Sequence, residues 1–101
     1  MKNRNTQFEK NAKKYFYLKL RRYPDVLTAA DIKAITGYSK EAIRTWIINN
    51  IIPGIKVKKK FFISKEDLIK FLISPRYMNI IRKSKIHKMD MEAMNGGREL
   101  W

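Results

Sequence analysis

A chain of 101 residues, 45% hydrophobic and 12% aromatic, has material for one core and is too apolar for a disordered polymer. It has no cysteine, which excludes a disulfide framework and thiolate metal sites, and no apolar run near the roughly 18 residues of a membrane span. The formal net charge of +14, from 23 Lys and Arg against 9 Asp and Glu, asks for a polyanionic partner: nucleic acid first, anionic membrane second.

The charge is unevenly spread. Residues 1–24 carry Lys2, Arg4, Lys10, Lys13, Lys14, Lys19, Arg21 and Arg22 against Glu9 alone, and MKNRNTQFEKNAKK leads into no signal-peptide core, so a cytoplasmic protein is expected. From Gln7 to Tyr23 the apolar residues Phe8, Ala12, Tyr15, Phe16 and Tyr23 fall on one helical stripe, with Lys10, Lys13, Lys14 and Arg21 largely off it. That pattern predicts an amphipathic helix with a basic outer side, ended by Pro24. Tyr17, Leu18 and Leu20 widen its apolar face, leaving surface for a partner. The aromatic stripe itself is needed by the core, which argues against membrane binding.

Thr28-Ala29-Ala30-Asp31 has the form of a capping box, with Ile32 and Ile35 facing inward behind it. Gly37 supplies the left-handed position past a helix end, and Ser39 is a fresh N-cap with Glu41 in the first turn of the next helix. TGYSKEAIRTWI is therefore a stop and an immediate restart: two short helices joined by about three residues, the spacing of a helix-turn-helix. At 100° per residue Ala42, Ile43, Trp46 and Ile47 face the core, while Lys40, Glu41, Arg44, Thr45 and Ile48 face away. Such a face suits a DNA major groove, where Arg or Lys donates to guanine and Thr or Ile touches a thymine methyl. An ordinary solvated face competes with that reading.

IKVKKKFFIS after Pro53-Gly54 alternates apolar and basic residues and predicts a β-hairpin between Ile52 and Ile63 with lysines at its tip. No apolar demand puts Lys56, Lys58, Lys59 and Lys60 there; gripping phosphate oxygens does. Ser64-Lys65-Glu66-Asp67 is a further capping box, opening a helix that stops before Pro75. Ile32, Ile35, Ile43, Trp46, Leu68 and Leu72 are expected to be buried together. From Pro75 to Met94 the chain reads as helical, without a narrow apolar stripe. Met78, Met89, Met91 and Met94 either form an adaptable contact surface or fill gaps. Gly96-Gly97 closes the segment and leaves RELW as a loose tail. Tyr17, Leu18, Leu20, Met91 and Leu100 together exceed what one small core obviously covers.

From Leu27 to Leu72 this order of residues resembles the excisionase/MerR-like winged helix-turn-helix family. Leu27, Thr28, Gly37, Ser39, Trp46, Ile47, Pro53 and the helix opened by Ser64 stand where that family's pattern places them. The resemblance implies a mainly α winged helix-turn-helix fold with a short β-hairpin wing, here with N- and C-terminal helical extensions. It implies DNA contact through Lys40, Glu41, Arg44 and Thr45 on the second helix and through Lys56, Lys58, Lys59 and Lys60 on the wing. The wing tip lacks the usual glycine, so a wider turn than type I′ is expected. Glu41 repels phosphate and is useful only opposite a cytosine amino group or as a cap. More loosely, the whole chain resembles the small accessory proteins of mobile cassette-chromosome replication operons, which partner a DNA polymerase and permit primer synthesis.

The organisation expected is thus a basic aromatic helix over 1–24, a winged helix-turn-helix domain over 25–74 and a basic extension over 75–101. An enzyme is the least supported class. The single histidine, His87, lies in a Lys-rich segment and reads as a surface side chain; the acids form no metal cluster; no glycine-rich phosphate loop is present. No cofactor is called for. Two binding functions remain: a binder of double-stranded DNA in a mobile genetic element, excisionase-like or a small transcription regulator, with a recombinase as partner; or an accessory subunit docked on a replication polymerase or primase. Interleaved aromatic and basic residues in YFYLKLRRY also suit single-stranded nucleic acid.

Overall fold

A computed structural model describes residues 2–94, with side chains from residue 8 onward. The chain is mainly helical with one small antiparallel sheet. In order these elements are α1 (Lys2–Lys19), β1 (Val26–Thr28), α2 (Ala29–Thr36), α3 (Lys40–Ile48), β2 (Ile55–Val57), β3 (Lys60–Ser64), α4 (Lys65–Leu72), α5 (Pro75–Met78) and α6 (Lys85–Met94).

α1 closes through a turn in which Leu20 N–H donates to Phe16 O and Tyr23 N–H to Leu20 O, both at 2.9 Å, before Pro24 bars continuation. Its inward stripe is Ala12, Phe16 and Leu20, all buried. Two expectations change here. Phe8 is left on the surface, beyond the end of the core, and Leu20 belongs to the core rather than to an apolar excess; Leu18 does remain exposed.

The capping box of α2 forms: Thr28 Oγ1 accepts from Asp31 N–H at 3.2 Å and Asp31 Oδ2 from Thr28 N–H at 3.0 Å. Gly37 ends α2 at φ 77°, and its N–H returns to Lys33 O. Ser39 Oγ then accepts from Ala42 N–H at 3.1 Å and starts α3. Gly37, Tyr38 and Ser39 alone separate the two helices. α3 buries Ile43 and Ile47; Trp46 is only half-buried, packed at the core edge with its ring 5.0 Å from Phe71 and 5.4 Å from Tyr38.

The hairpin pairs β2 with β3, Ile55 opposite Phe62, Lys56 opposite Phe61 and Val57 opposite Lys60. A strand that sequence periodicity did not reveal, β1, pairs with the other side of β3, Leu27 opposite Ile63, giving the order β1-β3-β2. The register leaves two residues, Lys58 and Lys59, in the turn, at φ 49° and 70°. The expected wider turn is not adopted. Positive φ at both central positions is what type I′ requires, and its twist matches the strands it joins. Ser64 Oγ accepts from Asp67 N–H at 3.0 Å and opens α4, which contributes Leu68, Ile69, Phe71 and Leu72 to the core.

The segment from Pro75 to Met94 is two helices rather than one. α5 ends after a single turn, with Tyr77 sunk into the core, and Ser84 caps α6 by accepting from His87 N–H at 3.0 Å. α6 then ties two distant parts of the chain together. Its Asp90 holds Lys19 at 2.6 Å and the Tyr15 hydroxyl at 2.7 Å, both from α1. His87 is fully buried, correcting its reading as a surface side chain. Its Nδ1 is hydrogen-bonded to the Tyr38 hydroxyl at 2.6 Å, and its ring stacks on Tyr77 with centroids 4.0 Å apart. The tail RELW and Leu100 lie outside the described residues.

Candidate nucleic-acid interface

Ser39 and the Ile43–Ile47 packing set the rotation of α3, and that rotation leaves Lys40, Glu41, Arg44, Thr45 and Ile48 exposed on its outer side. The tight hairpin folds toward the same side. Between them lies a groove of about 850 Å³ lined by Thr28, Ala29, Ala30, Lys40, Arg44, Lys56, Lys59, Lys60 and Phe61. Five of the eight residues predicted to bind DNA therefore converge on one concavity, and no carboxylate is among its described lining residues.

Glu41, Thr45 and Lys58 do not line it. Thr45 Oγ1 donates to Glu41 O at 2.9 Å, so its proton is taken and it offers only an acceptor and a methyl group. Glu41 occupies the first turn of α3, where a carboxylate complements the helix dipole. Lys58 is exposed at the hairpin tip beside the groove.

Sequence reasoning missed four lining residues. Thr28, Ala29 and Ala30 bring the start of α2 to the groove, and the signal was present: two alanines after an N-cap leave backbone accessible to a bulky ligand. Phe61 was missed because its facing depends on register. It sits directly across from Lys56, whose Nζ lies 5.6 Å from the Phe61 ring centroid. This contact holds the lysine stem against the sheet and keeps its charge at the groove.

Beneath the interface, the turn between α2 and α3 is braced by the aromatic cluster of Tyr38, Trp46, Phe71, Tyr77 and His87. Burial pushes the His87 imidazole down to about 4; Lys83 and Lys19 act in the same direction and Asp90 against it. Burial raises the Tyr77 and Tyr38 hydroxyls above their ordinary value. His87 Nε2 and the Tyr77 hydroxyl are buried without a hydrogen-bond partner among the described residues. Burial within this cluster thus favours the neutral imidazole.

Among the described residues no group of three or more His, Asp or Glu side chains is arranged to hold a metal ion, and no helix is long and apolar enough to cross a membrane. A groove of this kind, cationic and floored by small side chains and one aromatic ring, has the chemistry to hold a phosphodiester backbone. No protein-family model matches the chain, and no curated protein or solved structure matches it significantly.

Proposed function

We propose that this protein is a non-enzymatic DNA-binding protein built as a winged helix-turn-helix. In this reading α3 enters the major groove and the lysine hairpin holds adjacent backbone, in the manner of an excisionase or a small transcription regulator of a mobile genetic element. One observation carries it: Lys40, Arg44, Lys56, Lys59 and Lys60 converge on a single groove between a short-turn helix pair and a hairpin. The pattern of residues shared with the excisionase/MerR-like family supports the same reading. With Lys40, Lys56, Lys58, Lys59 and Lys60 on phosphates, five contacts on duplex DNA correspond to a slope of log K against log salt of about −4 to −5. Arg44→Ala should then cost about 1–3 kcal/mol of discrimination between sites while sparing non-specific affinity. A slope near zero for the parent protein would remove nucleic acid as its principal partner.

A second reading, an accessory subunit docked on a replication polymerase or primase, is favoured by the solvent face of the sheet. There Val26, Ile55 and Val57 are 55%, 64% and 47% exposed, and the register puts them on the same face as half-buried Phe62, next to Thr28 and Lys60 of the groove. A contiguous apolar face in a basic protein fits a protein partner. Ile55→Asp should dissolve a stoichiometric complex with such an enzyme while Arg44→Ala leaves it intact; the reverse result discards this reading.

A further inference from the structure

The groove uses five of the 23 Lys and Arg residues and leaves most of the +14 excess uncompensated. A large part of the remainder is ordered on α1. Lys10, Lys13, Lys14 and Tyr17 recur at the i, i+3, i+4, i+7 spacing and therefore share one side of the helix, turned away from the buried Ala12. All three lysines are exposed. Arg21, exposed in the turn beyond the helix end, continues the same run.

The acids around this stripe are few or already engaged. Glu66 of α4 accepts the Tyr17 hydroxyl at 2.6 and 2.7 Å, and Lys13 Nζ stands 5.9 Å from the Tyr17 ring centroid. Asp90 is held by Lys19 from the core side. Glu9 flanks the stripe as the one acid of residues 1–24. Among the described residues no carboxylate lies within ion-pair distance of Lys10, Lys13 or Lys14.

The stripe lies outside the groove. No α1 residue is among those lining the groove, and Phe16 and Leu20 of the α1 segment enter the same core as Ile43 and Ile47 of α3. We propose that the α1 stripe is a second DNA-backbone surface, so that one protein molecule holds two duplex segments. The argument is charge complementarity: three lysines within about one turn of one helix face match neighbouring phosphates of a strand, and release of their counterions drives the contact. The proposal rests on the reading of the groove as a DNA interface.

The test is a two-step capture. An immobilised duplex is loaded with protein and washed, and a labelled second duplex of unrelated sequence is then added at low salt. The parent protein should retain the second duplex. The variant Lys10→Ala/Lys13→Ala/Lys14→Ala should load onto the first duplex as before and capture the second roughly tenfold less. Alanine is the better helix former and the three side chains are exposed, so α1 should persist. Lys14→Glu alone should reproduce the loss. Undiminished capture by the triple variant overturns the proposal and assigns bridging to contacts between protein copies; loading without any capture by the parent overturns it too. If Lys59→Ala/Lys60→Ala, made in the Lys10→Ala/Lys13→Ala/Lys14→Ala background, leaves the loading step unchanged, the groove reading itself fails and the two-segment proposal with it.

Discussion

Acid should weaken this fold through His87, and the window follows from the structure. The imidazole is fully buried between Tyr77 and Tyr38, and its pKa is pushed down to about 4 from an ordinary 6.5. The folded chain thus keeps this side chain neutral over a range in which the unfolded chain protonates it. The unfolded state binds more protons there, so the contribution of His87 is fully present above 6.5 and lost as pH falls from 6.5 to about 4. The gap between the two values corresponds to about 3 kcal/mol, a sizeable part of the 5–15 kcal/mol typical of a whole domain. Urea-denaturation midpoints measured across that window for the parent and for His87→Gln provide the assay. Carboxylates titrate in both proteins, so the informative quantity is the difference between their slopes rather than either midpoint. The parent should lose stability more steeply, and most of the difference should accumulate between 6.5 and 4. Parallel slopes would refute the reasoning.

Gly37→Ala places a Cβ 3.0 Å from Ser84 Oγ and 3.2 Å from the Ile86 side chain at a φ of 77°, and should cost about 1–2 kcal/mol in urea unfolding; a loss below about 0.5 kcal/mol contradicts the assigned turn. Trp46→Ala removes a half-buried ring packed on Tyr38 and Phe71 and should cost about 3 kcal/mol, at the lower end for an aromatic truncation; an unchanged melting temperature would discard its place at the core edge. Lys58→Asn/Lys59→Gly should stabilise the hairpin by about 1 kcal/mol while lowering the salt slope of DNA binding by about 1–2 units. A destabilised double variant would show that the turn is not type I′.

Local signals were the legible ones. Thr28, Gly37, Ser39 and Ser64 act through hydrogen bonds within a few residues, so their roles in caps and in the break before α3 could be read directly from the chain. The outward face of α3 followed from helical periodicity for the same reason. The groove was half legible. Its lysines and Arg44 stood out by charge, whereas Phe61 enters through the register of β3, which no local pattern encodes. His87 misled because its neighbours Lys85 and Lys88 are charged and exposed, while its burial depends on Tyr38 and Tyr77, one of them 49 residues away. The C-terminal segment, read as helical without a narrow apolar stripe, is two helices: the break between α5 and α6 is what allows Tyr77 to face the core and Asp90 to reach α1. β1, only three residues long, carries too short a pattern to be seen.

The hairpin tip separates what the fold needs from what the surface needs. Its backbone requires positive φ at two successive positions, where Asn and Gly cost least. Lysine at each position costs on the order of 1 kcal/mol, because its Cβ crowds the following carbonyl in the left-handed region. Neither side chain returns that cost through packing, since Lys58 and Lys59 are both exposed. Nor does either enter an ion pair among the described residues. Folding alone therefore disfavours these two residues, while the groove gains a cation from Lys59, and Lys58 stands exposed next to it. A site of stored strain is explained by what it presents, and this one presents positive charge at the edge of a groove that already holds Lys40, Arg44, Lys56 and Lys60. Under the proposed function, that charge is what the hairpin offers to phosphate.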